Sequence, residues 1–118
     1  MEILGASIEL MVSEVETSMR FYQQVMGFDT LAEENDEKGE LYWALMARAG
    51  LKISFKLEDR IKAESPFFAD HVIGASISIC FQVSDLLNSY ETIKAACELL
   101  DHPHITPCGA TQFSLKDN

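Results

Sequence analysis

The sequence predicts an α+β fold built from two βαβββ modules in tandem, and three observations carry that prediction. The strand-like stretch Ser7–Val12 (SIELMV) returns within Ser76–Val83 (SISICFQV), and each copy runs directly into a helical pattern. An offset of 71 residues superposes Ser7 on Ser78, Ile8 on Ile79, Val12 on Val83, Ser13 on Ser84 and Ser18 on Ser89 without a gap, which marks an internal repeat. At 118 residues the chain suits one domain with a core and is too short for two independent ones, so the copies are halves of a single fold.

The elements follow in order. Ile8, Leu10 and Val12 alternate with Ser7, Glu9 and Met11, the period of two expected of a strand with one face on a core. Ser13 and Glu16 have the spacing of a capping box, and Val15, Met19, Tyr22 and Met26 then recur at helical spacing up to Gly27, a left-handed stop. Three strand-like runs come next, Phe28–Ala32, Leu41–Ala47 and Leu51–Leu57, joined by turns at Lys38-Gly39 and Ala49-Gly50. Glu58–Gly74, with Pro66 and mixed charge, reads as a connector, in which Phe67 and Phe68 either anchor it on the body or cover a ligand cavity.

The second module repeats the order. Ile77, Ile79, Phe81 and Val83 alternate with Ser76, Ser78, Cys80 and Gln82; Ser84 or Asp85 caps the next helix, whose apolar stripe is Leu86, Tyr90, Ile93, Cys97 and Leu100. His102–Pro107 is a short proline-flanked segment, and Thr111–Leu115 reads as a strand. By comparison with the first module, one more strand is due after Asn118. The single domain 1–118 thus divides into a first module 1–57, a connector 58–74 and a second module 75–118.

Composition narrows the function classes. A formal net charge of −10 argues against nucleic acid, whose phosphates need a basic surface to displace their counterions. No segment approaches the roughly 20 apolar residues that span a bilayer, and no basic stretch followed by an apolar run opens the chain, which reads as cytoplasmic without a membrane partner. Cys80, Cys97 and Cys108 form no CxxC pair and read as reduced thiols used in packing.

The capped helix carries Val12-Ser13-Glu14-Val15-Glu16-Thr17-Ser18-Met19-Arg20-Phe21-Tyr22, followed by Gly27-Phe28; Phe81-Gln82-Val83-Ser84-Asp85 and Phe113-Ser114-Leu115-Lys116-Asp117 follow in the second module. This pattern resembles the vicinal oxygen chelate superfamily, the group of glyoxalase I, bleomycin-resistance proteins and extradiol dioxygenases. The resemblance implies that each module curls its mixed sheet into half of a cup, that two modules enclose a ligand site, and that short members are homodimers. It assigns Ile8, Leu10 and Val12 to the side under the helices, and Ser7, Glu9 and Met11 to the cup together with Ser76, Ser78, Cys80 and Gln82. On the strand ending the first module, Ile53, Phe55 and Leu57 take the core while Lys52, Ser54 and Lys56 take the other face.

Enzymes of the superfamily usually hold a divalent metal in the cup by His, Glu or Gln on the first and last strands of each module. The positions that the resemblance assigns to those ligands fall on Ser7, Ser78 and Ser54, and the fourth lies on the strand not present in this sequence. A neutral serine hydroxyl keeps its proton at pH 7 and cannot stand in for imidazole or carboxylate, so no metal and no cofactor is expected. His71, His102 and His104 fall at none of these positions. Glu9 is the one cup carboxylate, open to a metal, to a role as base, to a cationic ligand or to pairing with Lys52 or Lys56.

The expected function is that of a metal-free binding protein, similar to the bleomycin-resistance branch, which sequesters or senses a cationic or aromatic small molecule. The residues expected to line its site are Ser7, Glu9, Met11, Trp43, Met46, Lys52, Ser54, Ser78, Cys80 and Gln82. Trp43 either faces the cup, where it would stack on a planar ligand, or lies in the core with Leu41 and Leu45. Two alternatives stand beside this reading: a glyoxalase-like, metal-dependent lyase or isomerase with Glu9 as its base, and an interaction scaffold without a small ligand.

Overall fold

The computed structural model describes residues 1–74 and 76–118. It is a mixed α+β structure with three α-helices and several small sheets among the described residues, and it divides into two compact units, Met1–Ile77 and Ser78–Asn118.

The first unit is built on a four-stranded sheet. Strand β1 (Ile8–Val12) leads into helix α1 (Val15–Gln24), followed by β2 (Asp29–Asn35), β3 (Leu41–Arg48) and β4 (Leu51–Leu57). Their spatial order is β1-β4-β3-β2, with β1 parallel to β4 and the other pairs antiparallel. The β3–β4 hairpin closes through Ala49 and Gly50, with φ of 50° and 82°, the left-handed pair that matches the twist of a two-residue hairpin. At the β2–β3 turn, Asp36 Oδ1 accepts the backbone N–H groups of Lys38 and Glu40 at 2.8 and 2.9 Å, so the side chain organises the loop.

Alternation puts Ile53 and Phe55 of β4 on the same side as Ala44 and Met46 of β3, and all four are fully buried. Helix α1 covers this side with Val15, Ser18 and Tyr22, which its periodicity stacks on one face. The Tyr22 ring lies 5.1 Å from Phe55 and meets Phe28 edge-on at 5.5 Å. Phe28 reaches that place because Gly27 takes a φ of 70°, letting the Phe28 N–H donate to the Tyr22 carbonyl at 2.9 Å.

The capping box is corrected: α1 starts one residue later than Ser13 requires, with Glu14 as N-cap and no side-chain cap bond. Glu14 is instead engaged by the Thr17 hydroxyl at 2.7 Å. The connector is likewise more ordered than its composition suggests. It forms helix α2 (Glu58–Glu64), held by a Glu58–Lys62 pair one turn apart, and a 3-10 turn at Pro66–Phe68. Phe67 is 75% exposed, so it anchors nothing on this unit; it packs with Phe68 and His71 instead.

The second unit contains helix α3 (Leu86–Ile93), which starts 71 residues after α1, and strands β5 (Glu98–Leu99), β6 (His104–Ile105), β7 (Thr111–Gln112) and β8 (Leu115–Lys116). These pair antiparallel as β5–β8 and β6–β7. Of the two cap candidates, Ser84 and Asp85, it is Asp85 that caps α3, its carboxylate accepting the Asn88 N–H at 3.0 Å.

Four expectations fail here. Ile77–Val83 forms no strand, because the described residues of the second unit supply no long partner equivalent to β4. The helix stops at Ile93, before Cys97 and Leu100, and Leu100 is exposed. Thr111–Leu115 is split between two different sheets. Nor are all the cysteines packed: Cys97 is half-buried, and Cys80 and Cys108 are exposed.

Replacing Phe55 with Ala removes the ring on which Tyr22 rests and is expected to cost about 3–5 kcal/mol. Urea unfolding followed by Trp43 emission reads this within the first unit; a loss below about 1 kcal/mol contradicts the packing described. Asp85→Ala is expected to weaken α3 by about 1 kcal/mol. Faster amide exchange at Asn88 checks it, and unchanged exchange counts against the cap.

Candidate ligand-binding face

The pleat that buries Ile53 and Phe55 turns their neighbours to the opposite side of the sheet. Register places Glu9 beside Ser54 and Ser54 beside Leu45, forming one row; Met11, Lys56 and Trp43 form the next. Trp43 therefore lies with Leu45 on the side away from α1, which decides between the two places open to it. Met46 is corrected for the same reason: paired with Ile53 and wholly buried, it belongs to the core and not to this face.

Glu9 is the centre of the arrangement. Its Oε2 accepts the Ser54 hydroxyl at 3.1 Å and the Trp43 indole N–H at 3.3 Å, joining residues far apart in sequence. Ser54 is only 4% exposed, whereas Glu9 remains accessible, and among the described residues no hydrogen-bond donor engages its Oε1. One carboxylate oxygen is thus held by the protein and the other is left to solvent or a ligand.

Charges surround this centre. Lys56 pairs with Glu64 at the end of α2, and that carboxylate holds the ammonium above its usual pKa against the opposing effect of burial. The register slip between Glu34 and Asn35 leaves Tyr42 as a bulged residue. The Arg60 guanidinium lies 3.9 Å from the Tyr42 ring centre, and the Tyr42 hydroxyl donates to Glu34, which pushes the phenol pKa up.

Ser7 lies exposed just before β1, and Lys52 is exposed on β4. Ser78, Cys80 and Gln82 are exposed in the second unit, on the segment without strand pairing. The site reading missed Tyr42, Arg60 and Glu64. For Arg60 and Glu64 the signal was the Glu58/Lys62 spacing, which marks a helix where the mixed composition suggested a connector; Tyr42 enters through a bulge that no spacing marks.

The donor set does not fit the metal that the superfamily's enzymes use. On this face one carboxylate stands among hydroxyls and lysines, Ser54 spends its proton on Glu9, and no group of three His, Cys, Asp or Glu side chains converges among the described residues. The histidines are engaged elsewhere, with His102 Nδ1 2.9 Å from the Tyr90 hydroxyl and His104 Nδ1 2.9 Å from the His102 carbonyl oxygen. A hollow of about 320 Å³ in the first unit, lined by Ser13, Glu14, Glu16, Glu40 and Leu57 among others, includes none of Glu9, Trp43 or Ser54. No helix among the described residues is long and apolar enough to cross a membrane.

Solved structures share this fold at low identity. A glyoxalase-related enzyme from Fulvimarina pelagi superposes with a TM-score of 0.73 at 16% identity, over 98% of this chain and 81% of its own. A member of the glyoxalase/bleomycin resistance protein/dioxygenase superfamily from Sphaerobacter thermophilus gives 0.77 at 17% identity, over 98% and 90%. TioX from Micromonospora sp. ML1 gives a TM-score of 0.65 at 19% identity, over 96% and 90%. No functionally curated protein matches the sequence. The sequence profile of the Glyoxalase/Bleomycin resistance protein/Dioxygenase superfamily matches residues 6–118, and the chain belongs to that superfamily.

Proposed function

We propose that this protein is a metal-free, non-enzymatic binder of a small aromatic cation, which it sequesters or senses at the Glu9–Trp43 face. The observation that carries the reading is the Glu9 carboxylate, with Oε2 held by Trp43 and Ser54 and Oε1 without a donor among the described residues. A cation at Oε1 gains a charge-assisted contact, and a planar ring beside it gains the face of Trp43. The acidic net charge of −10 adds a long-range field that favours cations over anions. Met11 and Leu45 supply apolar surface on the two rows.

Trp43 is the only tryptophan of the chain, so its emission reports on this site alone. N-methylquinolinium is expected to quench it, while neutral quinoline binds more weakly. Glu9→Gln is expected to reduce affinity for the cation about two- to five-fold and leave quinoline unchanged, the range of an exposed charge pair. Trp43→Leu, followed through the cation's own fluorescence, is expected to weaken it to a similar extent. Unchanged emission and melting temperature at millimolar N-methylquinolinium would falsify the proposal.

Because no step of this binding uses a metal, dialysis against EDTA is expected to leave the affinity for N-methylquinolinium unaltered. Loss of binding on chelation, restored by nickel or zinc, favours the lyase or isomerase alternative.

A further inference from the structure

We infer that Glu64 is a positioning residue for this site: by pairing with Lys56 it draws the lysine ammonium away from Glu9 and keeps that carboxylate available to a cationic ligand. The inference rests on the binding role proposed above and adds a device that controls it.

The geometry comes from the order of elements. Lys56 lies on β4 in the row next to Glu9 and Ser54, registered with Met11 on one side and Trp43 on the other. Its ammonium belongs to the same face as the proposed ligand cation and competes for the same charge. Helix α2 begins at Glu58, directly after β4, and its last residue, Glu64, returns to pair with Lys56. Lys56 is 18% exposed and Glu64 49%, so the lysine is confined against the face while its partner lies at the rim. The other carboxylate acting on Lys56 is Glu9. Of the remaining charged groups nearby, Arg60 is placed over Tyr42, Tyr42 is bonded to Glu34, and Lys52 is exposed on β4. Once Glu64 is neutralised, Glu9 is the carboxylate left to Lys56. A lysine turned toward Glu9 then acts as a tethered competitor, and cation binding requires its displacement.

The test uses Glu64→Gln, Lys56→Met and the double variant in the full chain. Glu64→Gln is expected to weaken N-methylquinolinium binding about two- to five-fold, the range of an exposed ion pair, and to leave quinoline unaffected. Adding Lys56→Met restores or exceeds the original affinity, because the competitor is gone. In parallel, the nuclear Overhauser contact between the Lys56 ε-methylene and the Glu9 γ-methylene is followed at pH 7 without any ligand. It is expected to strengthen in Glu64→Gln, where the ammonium approaches Glu9. A contact unchanged by Glu64→Gln overturns the inference whatever the probe does. If the unsubstituted protein binds neither probe but the contact strengthens as stated, the positioning role stands and the proposed ligand class fails. If Glu64→Gln weakens both probes equally, Glu64 acts on the shape of the face and the inference is overturned.

Discussion

The parallel pairing of β1 with β4 is the constraint on which the rest of the first unit depends. One register sets two things together: Ile8 and Leu10 beside the buried Ile53 and Phe55, and Glu9 beside Ser54. A slip of one residue would send Glu9 under α1 and Ile8 into water, so the apolar burial that stabilises the sheet also holds the carboxylate in place. The site has no separate scaffold. Its precision comes from the packing of Tyr22, Phe28 and Phe55 on the other side of the same strands.

Charge then differentiates the open side. Glu9 is bound by two neutral donors, which orient a carboxylate without cancelling its charge, whereas Lys56 is bound by the carboxylate of Glu64. Exposed ion pairs of this type add little to stability, about 0–1 kcal/mol each. Their consequence lies in where they leave the charges. Arg60 over Tyr42 and Tyr42 on Glu34 engage further groups of the same unit.

The segment leading into the second unit shows what happens when a strand lacks a suitable partner. Ile77–Val83 has the alternation of β1, yet it forms no ladder, and Ile77 and Val83 stay exposed. Alternation states only that a segment is compatible with a half-buried strand; backbone hydrogen bonds require a neighbour of matching length. The helix is less dependent on neighbours. Its bonds are internal and its cap is local, so α3 starts at the expected position behind Asp85 even though the strand before it does not form.

Much of this was legible in the sequence. Local chemistry determined the order β1-α1-β2-β3-β4, the Ala49-Gly50 and Lys38-Gly39 turns, the left-handed Gly27 and a cap at Ser84 or Asp85, because each depends on residues within a few positions of one another. Family resemblance put Glu9 and Ser54 on the face of the sheet opposite the core, where the register pairs them. The one-residue offset that leaves Glu14 as the N-cap of α1, and the end of α3 at Ile93, were not legible, since helix ends are set by competing contacts. Only the tertiary structure decided that Trp43 joins Glu9, that Met46 is core, and that Glu64 meets Lys56. Those are relations between strands, or between a strand and a helix, and they are fixed by register and by the direction α2 takes after β4. No periodicity within a single segment contains that information.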